Sequence, residues 1–120
     1  TVLIPVIMSL IMGTAALSSD AVADMLQEAR DTRRAADAYQ VSIALAMYYD
    51  DHNSYPVVKA HDVDAWDELR TALEPHYIQE LPNDPNFEAG MEYDYESDGY
   101  LAQTQYVSEV TGDTVERWNY

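Results

Sequence analysis

From Val2 to Leu17 the chain carries no charged residue, and only Pro5, Ser9, Gly13 and Thr14 interrupt its aliphatic and alanine run. Such a segment is unfavourable in water and has to be covered by lipid or by other protein. As a helix rising ~1.5 Å per residue it spans roughly 24 Å, slightly short of the ~30 Å hydrocarbon layer unless Ser18 to Ala23 extend it. A marginal span is one that can be withdrawn again. Two plainer uses compete with that one. A secretory signal would be cut near Ala21-Val22-Ala23, but the basic n-region of such signals is missing. A simple signal anchor would tether a soluble domain.

The residues beyond the oily segment narrow the choice. After Leu17 no glycine or proline occurs before Tyr55, and Ala, Gln, Glu, Arg, Met and Leu dominate, all good helix formers. This predicts one long helix, starting near the N-terminus and stopping around Asp51 to Ser54, where turn formers lead into Pro56. Val22, Leu26, Ala29, Ala36, Tyr39, Ile43 and Met47 recur at the three-and-four spacing of one helix face, and that face needs a partner. A helix of this extent measures about 75 Å, more than the rest of the chain can cover. Roughly half of it has to project and be buried elsewhere. Residues 1–22 are therefore read as a hydrophobic half-helix, and residues 23–120 as a globular head that includes the helix's C-terminal half.

Within the head, residues 65–73 form a short amphipathic helix with Trp66, Leu69 and Leu73 inward, Asp64 as N-cap and Pro75 marking its end. Residues 77–85 form an irregular connector, because residues before proline are pushed out of helix. From Met91, apolar Met91, Tyr93 and Tyr95 alternate with Glu92, Asp94 and Glu96, the pattern of a half-buried strand. Ser97-Asp98-Gly99 turns the chain into a second strand, Tyr100 to Val107, and Thr111-Gly112-Asp113 into a third, Thr114 to Trp118. The fold class is α+β: a long N-terminal helix, a short helix and a small antiparallel sheet whose aromatic face packs on the long helix.

Composition removes several functions. With 22 acidic against 6 basic residues and a formal charge of -16, the surface repels phosphate backbones, so nucleic acid is not an expected partner. Cysteine is absent, which removes disulfides, thiolate metal sites and thiol nucleophiles. His52, His61 and His76 match no helical metal spacing. Asp94 to Gly99 resembles the first half of a calcium loop, but Gln105 stands where the bidentate acid belongs. No nucleophile motif or phosphate loop is present, so neither an enzyme nor a cofactor is expected.

Four pieces, in order, resemble the type IV pilin and type II secretion pseudopilin superfamily. They are the opening Thr1-Val2-Leu3-Ile4-Pro5-Val6-Ile7 through Gly13, the run from Ile43-Ala44-Leu45 through Asp50-Asp51 to Tyr55-Pro56, the connector Leu73 to Pro85 with its Leu81-Pro82-Asn83-Asp84-Pro85, and the hairpin Tyr93 to Tyr100. The resemblance implies a lollipop-shaped subunit that polymerises through its N-terminal helix into an extracellular filament. Val2, Leu3, Ile4, Val6, Ile7, Leu10, Ile11 and Leu17 would pack in the filament core, Gly13 would be where the helix melts or hinges, and Thr1 would meet any N-terminal modification. It further implies a helical homo-oligomer, residence in the cytoplasmic (inner) membrane before assembly and on the cell surface afterwards, and dependence on pilus or secretion assembly machinery. A major pseudopilin of a type II secretion system is the nearest alternative, and a membrane-anchored binding or sensor domain the next.

The family usually carries glutamate at the fifth mature position, paired with a neighbour's N-terminal amine, and here that place holds Pro5. The next carboxylate, Asp20, lies about 22 Å further along a helix and cannot replace it at the same level. Arg30, Arg33 and Arg34, half of the basic residues, sit within about a turn of one another. Intrahelical pairs with Asp31 and Asp37 are one use for them, and salt bridges to adjacent subunits are the use expected in a filament.

Overall fold

A computed structural model describes residues 18–59 and 63–120. The chain forms α1 (Ser19–His52), α2 (Val63–Leu73), a 3-10 turn (Phe87–Ala89), and strands β1 (Asp94–Ser97), β2 (Ala102–Val107) and β3 (Thr114–Asn119). This is an α+β arrangement of a long helix, a short helix and one antiparallel sheet in the order β1-β2-β3. The filament-core residues expected between Val2 and Leu17, with Thr1, Gly13 and His61, lie outside the described residues. Among the described residues, no helix is long and apolar enough to cross a membrane.

The N-terminal boundary of α1 corrects the expectation of unbroken helix. Ser18 has extended backbone, φ -66° and ψ 155°, and its hydroxyl accepts the Ala21 N–H at 3.1 Å. That is an N-cap, which satisfies one of the helix's orphan donors, and Asp20 in the first turn complements the helix dipole. The chain is helical without a break from Ser19 through the 22/23 boundary to His52. At the far end Asn53 adopts φ 56° and its N–H returns to Tyr49 O at 2.7 Å, a left-handed cap that stops the helix just before Pro56.

The core lies where α1, α2 and the sheet meet. Val41, Ala44 and Leu45 come from α1, Trp66, Leu69 and Leu73 from α2, Leu81 from the connector, and Tyr93, Tyr95 and Ala102 from the sheet side. The inward face of α2 agrees with its sequence pattern. Its start does not: helix already includes Val63, so Asp64 sits in the first turn, where its charge favours the dipole, instead of capping it. Three buried aromatic rings are wired by their polar ends. Trp66 Nε1 donates to Pro82 O at 3.0 Å, Tyr95 Oη to Pro56 O at 2.7 Å, and Tyr93 Oη to Asp37 Oδ2 at 2.8 Å. Each buried donor therefore keeps an acceptor, without which burial would be costly.

Strand β1 is shorter than expected. The residues before Asp94 close the 3-10 turn instead: Met91 N–H donates to Asn86 O, and Gly90 takes φ 91°. The alternation survives the shortening, and Tyr93 and Tyr95 are both buried. In the register, Tyr95 faces Thr104 and Thr104 faces Arg117, while Ser97, Ala102 and Asn119 form a row two positions along. The β1–β2 turn is held by Asp98, whose Oδ1 accepts the N–H groups of Tyr100 and Leu101. Gly99, at φ 95°, supplies a conformation that L side chains rarely adopt, and its carbonyl accepts Tyr55 N–H at 2.8 Å.

Candidate functional site

Helix α1 has two faces with different fates. The face carrying Arg34, Asp37, Val41, Ala44 and Leu45 is buried against the rest of the chain. Roughly a third of a turn round the helix lies the stripe picked out by the sequence, and it faces solvent along its whole length. Val22 and Ile43 are each 41% exposed, Leu26 53%, Tyr39 52% and Met47 49%. Ala29 and Ala36 are exposed as well. The sequence period marks a real face, but apart from Tyr39, which Arg117 of β3 overlies, this stripe is left open by the rest of the chain.

The buried face is pinned by a polar cluster. Arg34 has no exposed side-chain surface. Its Nε and Nη2 donate to the two carboxylate oxygens of Asp84 at 2.8 and 2.9 Å, its Nη1 to Asp31 at 2.8 Å, and Nη2 also lies 2.9 Å from Glu109. Arg30 adds a two-pronged pair to Glu109 at 2.5 and 2.9 Å. Asp31 in turn receives Ser108 Oγ at 2.5 Å and the Glu109 N–H at 3.0 Å. One turn of α1 thus clamps both the connector, through Asp84, and the β2–β3 turn, through Ser108 and Glu109. Desolvation pushes the Asp31 pKa up, but the hydrogen bonds from Ser108, Glu109 and Arg34 outweigh it and leave it lowered. Glu109 is lowered too, first by Arg30 and against some desolvation.

These contacts correct the arginine assignment. Arg34 cannot reach an adjacent subunit, because its donors are engaged with carboxylates of its own chain and it has no open surface. Arg30 is also committed within the chain, to Glu109. Arg33 pairs with Asp37 at 3.0 Å, four residues on, and with 68% of its side chain exposed it is the most open of the three to a neighbour, Arg30 keeping 29%. The acids that fix Arg30 and Arg34 come from residues 84 and 109, and only Asp31 stands close enough in sequence to be seen.

One further cation matters. The Arg117 guanidinium lies 5.2 Å from the centre of the Tyr39 ring, a distance at which the ring's negative face attracts a cation. Its Nε is buried and has no hydrogen-bond partner. Among the described residues no group of three His, Asp or Glu side chains converges as a metal site.

No family model, no curated protein and no solved structure matches the chain. The two faces of α1, and the groups that each leaves available, are therefore the basis on which a function can be assigned.

Proposed function

We propose that the chain is the structural subunit of an extracellular type IV pilus-like filament, polymerised through its N-terminal helix. In this reading the residues 1–17 segment and the exposed stripe of α1 are the assembly surface, and the remainder is an acidic head turned to water. The observation that carries it is the stripe. A soluble chain with a complete core has no use for apolar residues repeated from Val22 to Met47 on the side of a helix that its core does not use. A long helix preceding a short helix and a small antiparallel sheet also has the element order expected of a pilin head. Subunits would wait in the cytoplasmic (inner) membrane, where lipid covers the oily segment, and an assembly machine would supply the work of extraction.

Electron microscopy of material sheared from the cell surface, with intact-mass analysis of the subunit, tests the proposal. Long filaments built of this chain at native expression are the expected result, and their length separates a surface pilus from a short secretion pseudopilus. Recovery of the intact chain as a monomer from detergent-free extracts would overturn it.

A further inference from the structure

We infer that Arg117 and Tyr39 on one copy of this chain receive the acidic row Asp20, Asp24 and Glu28 of a second copy, so that the filament contact is head-to-tail along α1. The inference rests on the filament reading and adds to it which charges set the register.

Arg117 stands apart from the other arginines, each of which has a carboxylate partner. In a chain with 22 acidic residues, it makes no ion pair among the described residues. Its partner there is a tyrosine ring half open to solvent. A guanidinium presents five donors in a fixed fork that suits carboxylates. Here Nε is closed off among the chain's own atoms, so the terminal Nη1 and Nη2 are the donors that an incoming carboxylate can meet. Tyr39 belongs to the exposed stripe, so Arg117 stands at its edge, where a molecule lying on the stripe would arrive.

The complement is on the same helix. Asp20, Asp24 and Glu28 are spaced four apart and exposed, and none makes an ion pair among the described residues. Like charges at this spacing destabilise an isolated helix, so an external cation relieves them. The row sits about 16 to 28 Å below Tyr39 along the helix axis. Bringing it to Arg117 therefore requires two copies offset by that rise, with the stripe of one against the helix of the other. The two patches are different and lie on one chain, so the contact is heterologous. Such contacts propagate as open filaments when the rotation does not close, which a self-complementary patch cannot do.

The test uses the full chain in its native host. Arg117→Glu and the double variant Asp24→Lys with Glu28→Lys are compared with the unaltered chain for filament recovered by shearing. The double variant alters two exposed side chains that make no ion pair in the fold, so it guards against misfolding of the Arg117 variant. Each is expected to lower recovery by about tenfold or more, since like charges are then opposed across the contact. Combining all three substitutions is expected to restore it. Undiminished recovery from either variant, or reduced recovery that the combination does not restore, overturns the pairing. Absence of filaments from the unaltered chain would instead sink the filament reading itself.

Discussion

Arg34 and Asp84, fifty positions apart in sequence, meet through two hydrogen bonds of 2.8 and 2.9 Å with neither side chain exposed to solvent. A pair this deep is weak evidence of net stabilisation, because desolvating both charges costs about as much as their attraction returns. Its removal on one side is another matter. Arg34→Ala leaves Asp84, Asp31 and Glu109 facing one another without the guanidinium at their centre, and a loss of about 3–5 kcal/mol in unfolding free energy is expected. Arg34→Lys should recover only part of it, since an ammonium cannot bridge carboxylates in a fixed plane. Urea denaturation of the two variants measures both.

The same cluster sets an acid limit. Asp31 and Glu109 have pKa values lowered in the folded chain. Their contribution to stability is whole above the pKa values of the unfolded chain and drains away as pH falls through the folded ones. The urea midpoint should therefore drop as the solution is acidified from neutrality through the carboxylate range. In Asp31→Asn, which starts less stable, that drop should be shallower.

Alkali acts on the tyrosines in the opposite sense. Burial holds the Tyr93 and Tyr95 hydroxyls protonated well beyond the ordinary tyrosine range, and at Tyr93 the bond to Asp37 adds to it. Their stabilisation is intact below the unfolded tyrosine pKa and is lost as pH rises through the folded values. Ultraviolet titration should show these two phenolates appearing late and together with unfolding, and Tyr93→Phe should remove one of them.

The two faces of α1 can be told apart by substitution. Leu45 is fully buried, and Leu45→Ala should cost about 2–5 kcal/mol through lost transfer energy and the cavity left behind. Ile43→Lys alters the exposed stripe and should change the unfolding free energy by no more than about 0.5 kcal/mol, while abolishing the assembly that the proposed filament requires. An Ile43→Lys chain that still yields filaments would show that the stripe is not the contact surface.

Much of the fold is readable in the sequence because it is local. The α2 pattern names Trp66, Leu69 and Leu73 as its inner face, and the Ser97-Asp98-Gly99 signal places the hairpin turn. The α1 period names a true face, but which face turns inward is set by the strands and connector that pack on it, and no local pattern holds that information. Arg34 escapes a sequence reading for the same reason: an arginine close to two others on a helix looks solvent-bound until carboxylates from residues 84 and 109 arrive. The Ser18 cap escapes it as well: no glycine or proline interrupts the helix-forming run around Ser18-Ser19-Asp20, so the boundary is hidden until the Ser18 backbone is seen to be extended.

Ser18→Ala removes the acceptor for the Ala21 N–H and should cost about 0.5–2 kcal/mol. Circular dichroism at rising temperature would register it as earlier fraying of α1.

The clamp around Arg34 also dictates timing during synthesis. Arg30 and Glu109 are separated by 79 positions, so a growing chain emerges with α1 made and its central cation unneutralised on one side until the β2–β3 turn has been translated. Closing so wide a loop is entropically expensive, and native docking of the helix has to wait for it. Over that interval the apolar surface of α1 is uncovered and its guanidinium groups are hydrated, so the clamp can close only once residue 109 has been made.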